Sequence, residues 1–310
     1  MLALAFVLGT CWLETASAQS ADLQRLRALA LELVNADRGR QQLQSMSASE
    51  RLDRAAQAHA ADMLERDYYA HKSPEGDTVR DRYLVQGGNQ WQLVAENIAV
   101  CRGCPGPVGR ERVEAFHRGW MNSEGHRENI LSDGLSRFGF GLAAEAGRVF
   151  AVQTFAGPGS SSGSEDAAPL DSLDGKRQAS LALDAINAER RKRGMPPLAV
   201  SAELVGAAAQ QVRSRPAQDG PGEPEPVEPY SLLSDAARQR WQTLSVLSAA
   251  CGGCGVESTT SDIQMFVQRW LDDEAYRARL LQADLTHLGF AIQANGKGRK
   301  NAAAVLGTKR

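Results

Sequence analysis

The sequence predicts an α+β fold, built as an α-β-α sandwich and present twice in the chain of 310 residues. Two observations support this prediction. The sequence matches itself at a shift of about 150 residues, and in the first copy helical patterns come before strand patterns. Helices followed by paired strands are typical of α+β domains and of sandwiches in which helices cover a sheet. The composition, 43% hydrophobic and 23% charged, excludes a wholly disordered chain and a polytopic membrane protein.

The duplication is marked by aromatic, glycine and cysteine residues that recur at a nearly constant offset. The matches are Trp91-Gln92 with Trp241-Gln242, Cys101 and Cys104 with Cys251 and Cys254, Phe116 and Trp120 with Phe266 and Trp270, Gly139-Phe140 with Gly289-Phe290, and Asn35 and Arg38 with Asn187 and Arg190. Residues 158–175 are rich in Gly and Ser and have little to bury, which predicts a linker. We therefore predict domain one over 20–157 and domain two over 176–310.

The elements of domain one are predicted from the spacing of its apolar residues. Leu and Ala at helical spacing indicate helices, with Pro107 near the start of the third. Short apolar runs on either side of a glycine-containing turn indicate two paired strands near the end of the copy. The predicted helices cover 21–38, 52–64 and 108–121, a loop with a short helix covers 70–90, and the strands cover 138–143 and 149–155.

The first 18 residues have the pattern of a secretory signal peptide. Met1–Leu13 is almost entirely apolar, and Ala16-Ser17-Ala18 is a small-x-small cleavage site before Gln19. Two alternatives are a short membrane anchor, for which the run is too short to span comfortably, and a lipoprotein anchored through Cys11. The prediction is a secreted or periplasmic protein with no transmembrane anchor after cleavage of residues 1–18.

The cysteines outside the signal sequence form two C-x-x-C pairs. An even number of cysteines in an exported chain favours disulfides, which predicts Cys101 with Cys104 and Cys251 with Cys254. A Cys₄ zinc site shared by the two domains is an alternative by ligand count. Redox exchange is another, although neither pair opens a helix after a strand.

Three polar segments of domain one, taken together, identify a family resemblance. They are His71-Lys72-Ser73-Pro74-Glu75-Gly76, Ala95-Glu96-Asn97-Ile98-Ala99, and Trp120 to Leu131 with the sequence WMNSEGHRENIL. In this order and spacing they resemble the CAP superfamily (cysteine-rich secretory proteins, antigen 5, pathogenesis-related class one) in its bacterial form. The resemblance covers all of domain one, whereas domain two matches through its scaffold positions.

The resemblance implies a polar cleft lined by histidine and glutamate. Carried over by position, the cleft residues are His71, Glu96 and His126, and Glu124 stands where the bacterial motif has proline. Eukaryotic relatives have a glutamate at the position of Ser123, so their complete tetrad is not reproduced.

Two imidazoles and a carboxylate could hold Zn²⁺ or another divalent metal, with His71 and His126 as ligands. The same groups, His71, Glu96 and His126, are the candidate general acid and base of an enzyme. Glu124 and His126 would point apart on one regular helix, so we expect Gly125 to break the helix and redirect His126. His59 and His117 lie in the middle of predicted helices and are expected to be structural. Glu96 could alternatively brace the fold by accepting backbone hydrogen bonds.

Domain two has lost the cleft while keeping the packing positions. At a shift of 150, His71 falls on Pro221, Glu96 on Val246 and His126 on Tyr276. The fold therefore does not require these polar groups, which favours a functional role for them in domain one. Glu124 recurs as Glu274, which favours a helix-surface role for it.

We predict a binding module for a small molecule, lipid or protein; members of the family it resembles are associated with such ligands. The alternative is a secreted metal-assisted hydrolase, although no self-sufficient catalytic motif is present. A net charge of -2 excludes a strong nucleic-acid partner on electrostatic grounds.

Overall fold

The computed structural model describes residues 8–104, 107–160, 174–214 and 228–310. The described chain divides into two compact units, one with residues up to 89 and 94–157, the other with 90–93 and 158–310. Most of the predicted linker and the first seven residues of the predicted signal peptide lie outside the described residues. No helix in the described ranges combines the length and apolar character needed to cross a membrane.

Domain one contains five helices and four strands among its described residues. In chain order these are α1 Leu8–Arg40, β1 Ser47–Ala48, α2 Glu50–Glu65, α3 Val79–Val85, β2 Leu93–Arg102, α4 Arg110–Met121, α5 Glu124–Leu131, β3 Arg137–Glu145 and β4 Arg148–Gly157. The sequence did not predict β2, because Glu96 and Asn97 interrupt its apolar pattern. It placed the end of the third helix at Met121, where α4 ends, but did not predict α5 as an element.

The sheet of domain one has the order β1-β3-β4-β2, with β1 parallel and β4 antiparallel to β3. Helix α2 packs on β3 and β4 on one face, where Ala56, Met63 and Phe150 are buried together. Helices α1 and α4 pack on each other over the opposite face, where Phe116 and Phe140 belong to a second core. Helices therefore cover both faces of the sheet, and the predicted α-β-α sandwich is confirmed.

Domain two repeats this topology. Its elements are α6 Gly175–Lys192, β5 Ala199–Val200, α7 Ala202–Ser214, α8 Asp235–Arg238, β6 Trp241–Cys251, α9 Thr260–Asp272, α10 Glu274–Leu280, β7 His287–Ala294 and β8 Lys300–Lys309. The sheet order β5-β7-β8-β6 matches that of domain one. Two separate cores lie on its two faces, as in domain one.

The strand register shows that the last hairpin of domain two is one residue longer. Phe140 pairs with Gln153 in domain one, whereas the equivalent Phe290 pairs with Ala304. The offset between the domains is 152 residues at Asn35 and Arg38, 150 residues from the disulfide to β7, and 151 residues in β8. The structural equivalent of Gln153 is Ala304.

A buried arginine fixes the same turn in both domains. Arg38 at the end of α1 donates hydrogen bonds to the carbonyl oxygens of Ile130 (2.9 Å) and Ser132 (2.7 Å), where α5 ends. Arg190 at the end of α6 does the same to Leu280 (2.9 Å) and Gln282 (2.9 Å) at the end of α10. Because the last carbonyls of a helix have no partner within the helix, the guanidinium satisfies groups that would otherwise be buried without one.

Both predicted disulfides are confirmed. Cys101, near the end of β2, is bonded to Cys104, and Cys251, at the end of β6, is bonded to Cys254. The two cysteines of each pair are 3 positions apart in sequence. The disulfides therefore close local turns, once in each domain.

Candidate functional site

The carboxylate of Glu96 lies at the centre of the candidate site. Glu96 lies in β2, the edge strand, and its side chain is 2% exposed. Its Oε1 lies 3.0 Å from His71 Nδ1, and its Oε2 accepts a hydrogen bond of 2.8 Å from Arg82 Nη2. Both carboxylate oxygens are therefore engaged, and the buried negative charge is compensated by a guanidinium.

Arg82 also fixes the loop that carries His71. It lies in α3, which begins with a capping box in which Thr78 and Asp81 bond to each other. Its guanidinium donates to the backbone oxygens of His71 (2.9 Å) and Asp77 (3.0 Å). One side chain thus holds the loop and the carboxylate in a fixed relation.

His71 presents its second ring nitrogen outward. A carboxylate only accepts hydrogen bonds, so neutral His71 must carry its proton on Nδ1, which faces Glu96. The side chain is 57% exposed, and Nε2 has no hydrogen bond within the described part of the chain. The Nε2 lone pair is therefore available to a ligand, a metal or a proton.

His59, expected to be structural, contributes to the same cluster. It lies on the buried face of α2, with Nε2 3.0 Å from the oxygen of Ala70 and 3.8 Å from Glu96 Oε1. Burial lowers the pKa of His59 from its ordinary value of 6.5, and the nearby Glu96 partly opposes this shift. His59 therefore supports the loop that carries His71 and the carboxylate of Glu96 from the side of α2. It does so as a neutral group at pH 7.

His126 approaches the site from α5. It is half-buried, and its pKa is lowered from 6.5, first by burial and then by the charge of His71. Its backbone oxygen accepts a 3.1 Å hydrogen bond from Asn97 Nδ2. Asn97 therefore ties the backbone of His126 to β2, the strand that carries Glu96.

The expected helix break at Gly125 is wrong. Helix α4 ends at Met121, and α5 begins at Glu124 and continues through Gly125 to Leu131. The chain turns at Asn122–Ser123 instead. Glycine in the first turn of a helix is tolerated, because tertiary packing outweighs its weak helix propensity.

Glu124 stands apart from the other predicted cleft residues. It is exposed at the first position of α5 and makes no hydrogen bond or ion pair with any described residue. Its equivalent, Glu274, is likewise exposed at the first position of α10. Acidic residues at a helix N-terminus interact favourably with the helix dipole, which accounts for the recurrence.

The metal-binding capacity of the site is that of two imidazoles. Among the described residues, no three or more His, Cys, Asp or Glu side chains are grouped so that they could hold a metal ion. Catalytic zinc ordinarily takes three protein ligands. His71 and His126 have nitrogen donors to offer, but both oxygens of Glu96 are already bonded. The residues present therefore do not fit a three-ligand zinc centre.

A groove of about 690 Å³ lies elsewhere on domain one. It is lined by α1, by the turn between β3 and β4 and by the segment after the disulfide, including Leu26, Val108 and Val149. None of the predicted cleft residues lines it.

In domain two the positions equivalent to Glu96 and His126 carry neither a carboxylate nor an imidazole. Val246 replaces Glu96, and Tyr276 replaces His126 and donates a 3.4 Å hydrogen bond to the oxygen of Ser248. Pro221, the counterpart of His71, lies outside the described residues. Gln211, which aligns with His59, is buried.

The chain matches one family model twice. The model, described as CAP, cysteine-rich secretory protein family, matches residues 31–155 and again 183–306. The Bacillus subtilis protein YkwD is 33% identical over 123 residues, covering 40% of this chain and 44% of YkwD. YlbC, a membrane protein of the same organism, is 32% identical over 112 residues, covering 36% of this chain and 30% of YlbC. The chain thus matches less than half the length of these curated relatives.

Solved structures give similar matches. An extracellular protein containing an SCP domain from Bacillus anthracis is 30% identical, with a TM-score of 0.36, over 43% of this chain and 40% of that one. An outer surface protein from Borrelia burgdorferi is 19% identical, with a TM-score of 0.36, over 44% of this chain and 92% of that one.

Proposed function

The chain belongs to the cysteine-rich secretory protein (CAP) family, whose domain it carries twice, and from this we propose that it is an exported binding protein. Domain one binds a small molecule, lipid or protein in the cleft of His71, Glu96 and His126. Domain two is a scaffold without a cleft of this kind. Export is supported by the signal-peptide pattern of residues 1–18 and by the two disulfides, which persist in oxidising compartments.

The observation that carries the proposal is the chain of contacts from Arg82 through Glu96 to His71. Burying the carboxylate of Glu96 costs desolvation energy, so stability alone does not favour a glutamate at this position. Domain two folds without Glu96 and His126, so packing does not explain them. The arrangement orients the Nε2 lone pair of His71 toward solvent, which is what a recognition group requires.

A hydrolase is the alternative, with His71 as general base and Glu96 orienting its ring. The favouring observation is the 3.0 Å separation between His71 Nδ1 and Glu96 Oε1, the geometry of a base and its orienting partner. Glu96 itself is not free to take a proton from water, since Arg82 and His71 occupy its oxygens. Binding therefore remains the better-supported function.

Zn²⁺ is a direct probe of the two imidazoles. We expect titration of Zn²⁺ into the full chain by isothermal calorimetry to show one binding site, lost in the His71→Ala/His126→Ala double variant. His287→Ala, which removes a partly buried histidine of domain two, is the matched control and should bind as the wild type does. Binding should weaken as the pH falls through the lowered pKa of His126, because protonated imidazole cannot coordinate a metal.

Three results would change this picture. Zn²⁺ binding that survives in the double variant would contradict the assignment of the site to His71 and His126. No binding to the wild type would exclude a metal as the ligand and leave an organic or protein ligand. Hydrolysis of p-nitrophenyl esters by the wild type, absent from the double variant, would favour the hydrolase instead.

A further inference from the structure

A buried amide cluster joins the two halves of the cleft. It consists of the side chains of Asn97, Asn129 and Gln153. Successive residues of a strand point to opposite faces, so Glu96 faces α2 while Asn97 faces α5. Asn97 and Gln153 are both 0% exposed. The cluster therefore lies directly beneath the helix that carries His126.

The hydrogen bonds of the cluster connect β2 to α5 and to β4. Asn97 Nδ2 donates to the backbone oxygen of His126 (3.1 Å) and to Gln153 Oε1 (3.0 Å). Asn129 Nδ2 donates to Asn97 Oδ1 (2.9 Å) and to the backbone oxygen of Glu96 (3.3 Å). Helix α5 is thus tied to β2 at the two residues, 96 and 126, whose side chains form the cleft.

Domain two shows that the fold packs well without this cluster. Leu247 replaces Asn97 and is the strand partner of Ala304, the equivalent of Gln153. Both are 0% exposed and belong to one apolar core. Arg279, exposed on α10, stands at the position of Asn129. A buried Leu–Ala pair therefore occupies this place in the same topology.

The amide cluster also has a cost that the apolar pair avoids. Burying an amide is unfavourable unless its donors and acceptors are satisfied. Within the described chain, Gln153 Nε2 is buried without a hydrogen-bond partner. Such a cluster rigidifies what it connects, and here it connects Glu96 to His126.

We infer that Asn97, Gln153 and Asn129 are positioning residues, which set His126 against the Glu96–His71 pair so that the two imidazoles act on one ligand. This inference rests on the proposed function for its purpose and on the hydrogen bonds for its mechanism. It assigns the cluster no contact with the ligand.

The test transfers the residues of domain two into domain one. In Asn97→Leu/Gln153→Ala, we expect a folded chain by circular dichroism and a shifted or broadened His126 imidazole Cε1–H resonance at pH 8. Zn²⁺ affinity should fall about 10-fold, as when residues behind metal ligands are altered. Thr154→Val is the matched control, because Thr154 is a buried neighbour whose hydroxyl has no described partner and whose equivalent is Val305. Its His126 resonance and Zn²⁺ affinity should equal those of the wild type.

Asn129→Ala keeps the inference testable if the double variant does not fold, since Asn129 is only partly buried. It should also move the His126 resonance. A folded variant with a lower melting temperature but an unchanged His126 resonance would overturn the positioning role and leave a structural one. If the wild type binds no Zn²⁺, the metal arm of the proposed function fails, while the resonances still decide whether the cluster positions His126.

Discussion

Gly139→Ala is expected to destabilise domain one by about 3 kcal/mol or more, lowering its melting temperature by roughly 10 °C. Gly139 lies in β3 where the strand crosses α2, and a Cβ at this position would run into the backbone of Leu52 and Asp53. Backbone atoms of a packed helix cannot move aside as the end of a flexible side chain can. The helix would have to separate from the sheet, at the cost of the core between them.

Scanning calorimetry of the full chain measures this effect. Gly119→Ala is the matched control, because Gly119 is exposed within α4 and nothing lies within 4 Å of its would-be Cβ. This variant should be neutral or slightly stabilising. Gly289→Ala, the same close approach between β7 and α7, identifies the transition of domain two. A Gly139→Ala chain that melts with the wild type would contradict the packing described for β3 and α2.

Arg38→Met should cost about 3–5 kcal/mol of the free energy of unfolding of domain one. Arg38 is 1% exposed, and burial lowers its pKa. Its guanidinium donates to carbonyl oxygens of four residues: Gln44, Ile130, Ser132 and Leu135. Methionine fills much of the same space but donates nothing, so these buried oxygens lose a charged donor.

Urea unfolding of the two variants Arg38→Met and Arg40→Met separates this role from a general effect of charge. Arg40 is largely exposed and paired with Asp37, so its removal should cost at most about 1 kcal/mol. Equal stability of the two variants would show that the carbonyls near the end of α5 do not depend on Arg38. Because α5 carries His126, Arg38→Met should also disturb the cleft.

The fold of the two domains could be predicted from the sequence because periodic sequence features indicate it. Helical spacing, paired apolar runs and the repeated positions of Gly139 and Gly289 all act locally or recur at a fixed offset. Strand β2 was not recognised, because its central residues serve the cleft and its amide cluster and so break the strand pattern. The site requires polar residues at the centre of this strand, whereas the sequence pattern of a strand is recognised by its apolar residues.

Only part of the candidate site could be predicted from the sequence. His71, Glu96 and His126 stand in motifs with a distinctive order. In the structure His71 contacts Glu96, and the backbone of His126 is bonded to Asn97, the next residue of the same strand. Arg82 was missed, and His59 was predicted to be structural without any link to the site, since each is a single residue on a helix and reaches the site only through the tertiary fold. The one sequence signal for His59 is its position on the buried face of an amphipathic helix. No local pattern marks Arg82.

The central claim is that Glu96 holds His71 with Nε2 free for a ligand. Long-range ¹H–¹⁵N correlation spectra of the histidine side chains at pH 8 test it, because the ¹⁵N shifts distinguish the two neutral tautomers. We predict that His71 of the wild type carries its proton on Nδ1 and that Glu96→Gln converts it to a mixture of tautomers. Glu124→Gln should leave the His71 signals unchanged. A wild-type His71 protonated mainly on Nε2 would contradict the account, since its outward nitrogen would then have no lone pair to offer.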